Sequence, residues 1–473
     1  MDLKALWIIR YEVLLVILTL FALIADLSVK PENKHRLIDL IILLFGLYTL
    51  SGFIPSVHGS LFGGMYQSTP LTTGMKNILN IAMLIVLMQS AIWLKRPALA
   101  GKSSEYFILL FSTLTGMFFM ISSGDFLMFY IGLELATIPA TVLAAFDRSG
   151  NSGAEAGIKF IFSSALSSGI LLLGISFIYG TSGSVYFGEV LHSVRPEGLQ
   201  LLGFIFFLSG MGFKISLVPF HFWAADVYEG SPVNITSYLS VISKGSAVFI
   251  LTIILYKVFP AIEDSWQVLL YVLAVATMTI ANLFAIRQDN IKRFMAFSSI
   301  AQAGFILLGV MGTGQTGMTT VVYFVLIYMF TNLAAFGVIS TIVHQTGNET
   351  ITSYNGLYRT NPLLSLTMML SLFSLAGIPP VAGFFGKFFL FTSAASKGYY
   401  ILVLIAVINA TISLYYYLRV VKAMFIDRNE QPIAWFRSDN YTRVSLVICI
   451  TGVFVTGFFG AVYEYIYRLA LTI

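Results

Sequence analysis

Residues 362–394 read PLLSLTMMLSLFSLAGIPPVAGFFGKFFLFTSA, and Lys387 is the only charged residue among them. The stretch is longer than the roughly 20 apolar residues that a helix needs to cross a bilayer. Its centre, Gly377-Ile378-Pro379-Pro380, interrupts the pattern, because proline lacks a backbone donor and clashes with the preceding helical turn. The stretch therefore predicts a transmembrane helix that is broken near its middle and carries one cation beside the break.

The composition of the whole chain is also that of a membrane protein. Of 473 residues, 58% are hydrophobic and 10% are charged, and the mean hydropathy is +0.87. A soluble domain usually carries about 25% charged residues. The net charge of +5 does not indicate a nucleic-acid partner, because the basic residues stand in short gaps between apolar runs. That arrangement is typical of membrane topology, with the lipid bilayer as the expected surroundings.

Fourteen segments are long and apolar enough to span a membrane. They run approximately over 6–26, 37–54, 77–94, 106–122, 126–145, 158–180, 200–222, 234–258, 266–286, 294–312, 318–343, 362–394, 399–424 and 443–469. A backbone in lipid must satisfy its own hydrogen bonds, which runs of this length do as helices. The expected fold class is an all-α membrane protein with about fourteen transmembrane helices. The first run is interpreted as a spanning helix and not as a signal peptide, because no small-residue cleavage site follows it.

The distribution of positive charge predicts an orientation. Loops after odd-numbered segments hold seventeen lysines and arginines, whereas loops after even-numbered segments and the two termini hold seven. Cytoplasmic loops carry the excess of such residues. We therefore expect both termini on the outer side of the membrane.

Redox, metal and nucleotide chemistry has no recognisable site in the sequence. Cys449 is the single cysteine and the five histidines are scattered, so neither an iron–sulfur centre nor a zinc site is indicated. No glycine-rich phosphate loop or dinucleotide-binding pattern is present. We expect no cofactor or metal in this chain.

A second break accompanies the first one. In the seventh segment, Gly212-Phe213-Lys214 is followed by Pro219, five segments before the break at Pro379 and Pro380. An odd spacing makes the two five-helix units inverted, which is a recurrent feature of ion transporters. The expected divisions are 1–104, 105–260 (helices four to eight), 261–425 (helices nine to thirteen) and 426–473. The alternative is that these prolines only kink their helices.

Four ionisable residues lie inside predicted helices: Glu134, Lys214, Lys244 and Lys387. A charge at the bilayer centre costs about 2.5–3.5 kcal/mol on insertion scales, so such residues are functional candidates. A buried lysine can exchange protons near neutral pH, which an exposed lysine does poorly. The alternative is a set of ion pairs that pins helices together, but one acid does not balance three bases.

Several polar residues permit two interpretations. His221, Asp226 and Glu229 follow the seventh segment and either shape a proton entrance or cap a helix end. Four further polar residues lie inside predicted helices: Gln302, Asn282, Asn332 and Tyr328. They either line a hydrated path for protons or join helices by hydrogen bonds worth about 0.6 kcal/mol each. Arg10 and Glu12 are interpreted as an interfacial pair.

Six motifs occur together in one order. They are Gly212-Phe213-Lys214, Pro219-Phe220-His221-Phe222-Trp223, Asp226-Val227-Tyr228-Glu229-Gly230-Ser231-Pro232, Ser243-Lys244, Phe297-Ser298-Ser299-Ile300-Ala301, and Gly377-Ile378-Pro379-Pro380 through Lys387. This set resembles the signature of the antiporter-like subunits of respiratory complex I and of the Mrp cation/proton antiporters. The resemblance covers residues 105–425. Within this superfamily the chain is most similar to the N-subunit family of bacterial NADH:quinone oxidoreductase, because of its length, its Lys387 and the lack of a long lateral helix.

The resemblance implies a proton-translocating, non-redox subunit of a bacterial inner-membrane complex. Glu134 and Lys214 would be a coupled pair, Lys244 a central relay and Lys387 the terminal proton-transfer residue. The partners would be other antiporter-like and small membrane subunits, and NADH, FMN, iron–sulfur clusters and quinone would be bound by partner subunits. The alternative is an Mrp-type subunit. Gln302 departs from the pattern, because many relatives have a histidine there and glutamine cannot titrate.

Overall fold

The computed structural model describes residues 3–147, 151–430 and 432–472, and most of them are helical. The first half of the chain forms α1 (Leu3–Ile8), α2 (Arg10–Ser28), α3 (Lys34–Ser51), α4 (Pro70–Leu94), α5 (Pro97–Ala100), α6 (Ser103–Ile121), α7 (Phe126–Ala144), α8 (Asn151–Ser182), α9 (Phe187–Ser193), α10 (Gly198–Ile215), α11 (Phe222–Gly230), α12 (Val233–Tyr238) and α13 (Lys244–Lys257). The second half forms α14 (Glu263–Ala285), α15 (Ile291–Met311), α16 (Gly314–Thr346), α17 (Leu357–Thr360), α18 (Pro362–Ala376), α19 (Ala382–Ser396), α20 (Tyr400–Phe425), α21 (Asn440–Phe458) and α22 (Gly460–Leu469). A short antiparallel hairpin of β1 (Gly59–Leu61) and β2 (Tyr66–Ser68) lies between α3 and α4.

Twelve helical stretches within the described residues are long and apolar enough to cross a membrane. They are α2, α4, α6, α7, α8, α10, the run Val233–Lys257, the run Pro260–Ala285, α15, α16, α20 and α21. The second predicted segment falls on α3, which begins with several charged residues, and the twelfth falls on the shorter helices α18 and α19. The predicted fold class is confirmed, whereas the count of fourteen stays a prediction.

The chain forms two compact units. The first unit contains Met1–Ile215, Ile242–Trp266 and Leu471–Ile473, and the second unit contains Ser216–Val241 and Gln267–Ala470. Neither unit is a single stretch of sequence. The divisions predicted at residues 104, 260 and 425, and the inverted repeat, stay predictions.

Local sequence specifies where important helices of the first unit begin. The hydroxyl of Thr69 accepts a hydrogen bond from the backbone nitrogen of Thr72, whose own hydroxyl accepts one from Thr69, and Pro70 occupies the first helical position. The carboxylate of Asp125 accepts one from the backbone nitrogen of Met128 at 2.7 Å. Such caps satisfy donors that the first helical turn leaves free. They fix the beginnings of α4 and α7.

Glycines allow α6 and α7 to pack closely in the first unit. A Cβ atom at Gly116 would lie 2.4 Å from the backbone nitrogen of Ala136, and one at Gly132 would lie 2.6 Å from that of Met120. Small residues permit this approach of helix backbones in membranes. The close crossing fixes the rotation of α7, the helix that carries Glu134.

Both predicted helix breaks are present. α10 ends at Ile215 and the next helix begins at Phe222, so this break follows Lys214 and lies at the end of the predicted segment and not at its middle. Ser216 has a φ of +65° and is one of the few non-glycine residues in the left-handed region. The backbone nitrogen of Val218 donates to Thr277 at 3.0 Å, which satisfies one group released by the break.

The second break lies between α18 and α19. Gly377 closes α18 with a φ of +88°, and the backbone nitrogens of Gly377 and Ile378 both donate to the carbonyl of Phe373 at 3.0 Å. This is the arrangement that glycine after a helix end commonly supports. Lys387 lies on the helix that follows, as predicted, with its side chain 2.9 Å from where a Cβ of Gly377 would be.

A turn of π-helix, Leu239–Ser243, immediately precedes Lys244. It joins α12 to α13 in one continuous apolar run. Turns of this kind are rare and frequently stand at functional sites. The sequence did not predict it, because no proline or glycine marks the position.

Replacing Gly383 with alanine is expected to destabilise the second break by about 1–3 kcal/mol, as overpacked sites usually do. The new Cβ would lie 1.7 Å from the carbonyl oxygen of Ser374, so the backbone must move. Thermal denaturation of the purified assembly would measure the loss. Gly169→Ala is the control, because a Cβ there on α8 meets no atom within 4 Å. An equal stability of the two variants would contradict the prediction.

Candidate proton-transfer sites

In the first unit, Lys214 contacts the helix that carries Glu134. The Nζ atom of Lys214 donates to the hydroxyl of Thr137 at 2.7 Å, and the Lys214 side chain is buried. Thr137 stands three residues after Glu134, so both side chains are on one face of α7. No direct ion pair joins Glu134 and Lys214 among the described residues. A hydroxyl can donate and accept, so Thr137 suits a position beside a group that changes protonation.

One carboxylate oxygen of Glu134 has no fixed partner. Its Oε1 atom is buried and makes no hydrogen bond to any residue that the structure describes. A small cavity of about 10 Å³ also opens beside Lys214, lined by Thr137 and by serines of α8. A space of this size is close to the minimum for one water molecule. The pair is therefore not locked in a closed set of hydrogen bonds.

Lys244 begins α13, directly after the π-helical turn, and is buried in the first unit. Every residue from Val233 to Leu255 along this run is buried. A charged side chain in such surroundings faces the protein interior and not lipid. The structure thus places Lys244 where the sequence predicted a buried cation.

Lys387 and Gln302 both use the open end of α18 in the second unit. The Nζ atom of Lys387 donates to the carbonyl of Ala376 at 2.9 Å and lies 4.6 Å from the ring centre of Phe305. The Nε2 atom of Gln302 donates to the neighbouring carbonyl of Leu375 at 3.0 Å. These carbonyls are among the last four of the helix, which have no partner within it. The break at Pro379 and Pro380 therefore creates the acceptors that hold both side chains.

Hydroxyl and amide groups extend this polar region of the second unit. Gln302 also donates to the hydroxyl of Tyr417 at 3.3 Å, and Tyr417 bonds to Ser298 at 2.6 Å. Tyr328 bonds to Ser240 at 2.9 Å, and Asn332 donates to the same Ser240 hydroxyl at 2.9 Å. These six side chains are all buried. The contacts are compatible with either predicted role for Tyr328 and Asn332.

Asn282 joins helices. Its Nδ2 atom donates to the side chain of Asn409 at 3.0 Å, and its Oδ1 atom accepts from Tyr416 at 2.8 Å. The bonds connect α14 with α20, which supports the structural interpretation of this residue.

Asp226 and Glu229 both bind Arg293 in the second unit. The distances from the Arg293 guanidinium are 2.7 Å to Asp226 and 2.8 Å to Glu229, and all three side chains are partly exposed. Nearby on the same helix, Lys292 pairs with Glu349 at 2.7 Å. These ion pairs tie α11 to α15, so the two carboxylates join helices, and both the proton-entrance and the helix-cap interpretation stay predictions. His221 precedes the same α11, is buried, and its Nδ1 atom has no hydrogen-bond partner among the described residues.

A buried ionic cluster near the beginning of the chain was not predicted from the sequence. Lys76 pairs with Glu12 at 2.6 Å, and each side chain is 2% exposed. The hydroxyl of Tyr66 donates to Glu12 at 3.0 Å and accepts from Lys76 at 2.9 Å. Burial, and then the Glu12 carboxylate, raise the pKa of the Tyr66 phenol far above its ordinary value, so the hydroxyl stays protonated.

The predicted pair of Arg10 and Glu12 is wrong. Arg10 donates to the backbone carbonyls of Ile54 and Pro55 at 2.5 and 3.2 Å instead. Lys76 could have indicated the true pair. It stands just before the predicted start of the third segment, but α4 begins at Pro70, so Lys76 lies inside the helix.

No cluster of three or more histidine, cysteine, aspartate or glutamate side chains suited to a metal ion occurs within residues 3–147, 151–430 and 432–472. Of the four candidate residues, Lys214 has a hydroxyl and Lys387 a backbone carbonyl as hydrogen-bond acceptor.

Comparison with known proteins places the chain among membrane transport proteins. The family described as NADH:quinone oxidoreductase/Mrp antiporter, TM, matches residues 123–413. NADH-quinone oxidoreductase subunit N of Phocaeicola vulgatus is 50% identical over 465 residues, which are 98% of each chain. A chain of respiratory complex I from Thermus thermophilus with bound aureothin is 27% identical, with a TM-score of 0.80 over 96% of this chain and 98% of that one. A chain of the Mrp complex from Dietzia sp. DQ12-45-1b shares the fold, with a TM-score of 0.87 at 20% identity over 100% and 98% of the two chains.

Proposed function

Because this chain belongs to the NADH-quinone oxidoreductase subunit N family, we propose that it carries protons across the membrane through Glu134, Lys214, Lys244 and Lys387. The resemblance predicted from the sequence is confirmed at the level of the family. The observation that carries the proposal is the open arrangement of Lys214. This buried lysine bonds to a hydroxyl, and one oxygen of its acidic neighbour Glu134 has no hydrogen-bond partner in the part of the chain that the structure describes.

Glu134 and Lys214 would act as a switch. A negative charge on Glu134 favours the protonated form of Lys214, and loss of that charge favours release of the proton. Thr137 can accept from the ammonium and donate to the neutral amine, so it serves both protonation states. Lys244 and Lys387 would receive protons in turn, and Lys387 would be the last residue of the route.

The role of the chain would be non-redox. Electrons would pass through NADH, FMN, iron–sulfur clusters and quinone bound by other subunits of the complex, and the energy would reach this chain as a change of charge or conformation. The surrounding partners would be other antiporter-like and small membrane subunits. We place the chain in the bacterial inner membrane, with both termini on the outer side, on the basis of the positive charge in odd-numbered loops.

An Mrp-type cation/proton exchanger is the second candidate. The likeness to the Mrp chain supports it at the level of the fold. The subunit N relative at 50% identity supports the first candidate. Sodium dependence distinguishes the two, since only the exchanger requires sodium for proton movement.

Lys214→Met tests the proposal. In the purified complex, reconstituted in sealed vesicles, NADH-driven proton uptake is expected to fall severalfold relative to the natural chain, because methionine cannot carry a proton. The loss is not complete in our expectation, because Thr137 and the small cavity beside it remain. Lys30→Met is the control, since Lys30 lies in the exposed connection between α2 and α3.

Unchanged proton uptake in an assembled Lys214→Met complex would refute the proposed route. Proton uptake that needs sodium and proceeds without NADH would instead favour the exchanger. Assembly is checked by co-purification of flavin and iron–sulfur clusters with the tagged chain.

A further inference from the structure

A cavity of about 380 Å³ lies in the first unit, away from Lys214 and its neighbours. Its walls come from the hairpin, the beginning of α4, the end of α6, α9 and the end of α13. Binding sites for small molecules commonly have volumes of about 300–1,000 Å³. Because α4, α6 and α13 belong to spanning stretches and contribute their ends, the cavity lies at a boundary of the membrane. By the orientation predicted above, this is the outer boundary.

The cavity wall contains one positive charge and two side-chain donors that lack a hydrogen-bond acceptor among the described residues. Lys257 is the only charged residue among the described residues that line it. Neither the ammonium of Lys257 nor the side-chain amide of Gln67 makes a hydrogen bond or ion pair with any part of the chain that the structure describes. Both side chains are partly buried. Two donors thus face the same space without an acceptor.

Other polar groups of the cavity wall already make hydrogen bonds within the chain. Thr69 and Thr72 bond to each other in the cap of α4, and the hydroxyl of Ser123 donates to the carbonyl of Met120 at 2.8 Å. The N-terminus of α4 is therefore closed by its own cap. Recognition of a ligand would depend on Lys257 and Gln67.

Much of the remaining cavity wall is apolar and includes Leu71, Phe187, Leu191 and Ile253. An anion with no apolar part would leave this surface in contact with water. A molecule with an anionic head and hydrocarbon chains satisfies both the charged and the apolar parts of the wall.

We propose that this cavity binds the phosphodiester headgroup of an anionic phospholipid, with Lys257 and Gln67 donating to the phosphate and the acyl chains lying along Phe187 and Leu191. The site is separate from the proton route. Its test therefore stands even if the proposed function fails.

The test measures lipid selectivity of the purified complex in nanodiscs. Spin-labelled phosphatidylglycerol and phosphatidylcholine are compared, and the immobilised fraction of each is determined for the natural chain and for Lys257→Gln. The preference for phosphatidylglycerol at the site is expected to fall about fivefold in the variant, which corresponds to the roughly 1 kcal/mol that one lysine contributes near a membrane surface. Lys257→Arg, which keeps the charge, is expected to retain the preference.

Lys397→Gln is the matched control. It removes one positive charge from an exposed position that, in the predicted orientation, is on the same side of the membrane and lines no part of the cavity. Gln67→Leu is a second variant and is expected to weaken binding without changing net charge. Correct assembly of every variant is verified by its flavin content.

Three results would overturn the proposal. The first is an unchanged preference in Lys257→Gln, and the second is an equal loss in Lys397→Gln. The third is a cross-link from Lys257 to a carboxylate of a neighbouring subunit in the native complex, which would identify a protein segment as the occupant. Addition of inorganic phosphate separates the two phosphate sources: complete displacement of the lipid by millimolar phosphate would assign the site to free phosphate and refute the lipid, whereas retention of the lipid supports the proposal.

Discussion

Replacing Lys387 with methionine is expected to reduce NADH-driven proton translocation by the assembled complex at least tenfold. A positioned proton-transfer group typically contributes about 10²–10⁴-fold to a rate. Besides its proposed role in proton transfer, Lys387 donates through its Nζ atom to the carbonyl of Ala376 at the open end of α18. Methionine removes the transferable proton and leaves this buried carbonyl without its donor. Vesicles containing the purified complex and a pH-sensitive dye would measure the loss.

Lys387→Arg separates the two tasks of Lys387. Arginine keeps the positive charge and a donor, but it does not release its proton at any physiological pH. If proton exchange is the function of this position, the arginine variant should assemble with near-natural stability and still fail to translocate protons. Full translocation by Lys387→Arg would show that only the charge matters, and the proposed role as terminal proton-transfer residue would be wrong.

Glu12→Gln is expected to destabilise the first unit by about 3–5 kcal/mol, the usual cost of removing one partner from a buried ion pair. The variant leaves the ammonium of Lys76 buried, with Tyr66 and a neutral amide as its remaining neighbours. The expected readouts are a lower amount of the chain in membranes and earlier thermal denaturation of the purified complex. Proton translocation per NADH oxidised should change little in whatever complex assembles, because Glu12 and Lys76 are not part of the proposed route.

Two variants control this prediction. Glu12→Gln combined with Lys76→Met removes both charges, and it should recover most of the lost stability because no unpaired charge remains. Glu155→Gln breaks the exposed pair with Lys159, which has a similar distance of 2.7 Å but side chains that are 65% and 42% exposed. Surface pairs of this kind contribute about 0–1 kcal/mol. Equal losses in Glu12→Gln and Glu155→Gln would contradict the assignment of the first pair as a strong structural contact.

The breaks could be predicted because their causes are local. Proline restricts the backbone and glycine widens its range of conformations wherever they stand. Gly377 and Pro380 therefore predict the end of α18 independently of its tertiary contacts. The cations were also predictable, since a lysine within a long apolar run has few alternatives to burial inside the protein. For the same reason, Lys214, Lys244 and Lys387 were identified from sequence and are buried in the structure.

The ion pairs of Lys76 and Arg293 were not predicted, because their partners come from distant parts of the chain. Glu12 and Lys76 are separated by 64 residues, and the polar residues around Lys76 lower the hydropathy of its stretch, which displaced the predicted start of the helix from Pro70. Arg293 similarly finds Asp226 across 67 residues. Periodicity and composition describe one helix at a time, whereas such pairs depend on which helices become neighbours.

The shared helix end of α18 also bears on how position 302 can change in evolution. Gln302 donates to the carbonyl of Leu375, next to the carbonyl that accepts from Lys387. A side chain that makes this bond needs an N–H group that reaches the carbonyl of Leu375, and a neutral histidine carries an N–H donor as glutamine does. Only histidine adds a titratable group. The lineage of this protein could thus exchange one residue for the other without rebuilding the helix end, and keep the architecture while altering how many proton-carrying groups it contains.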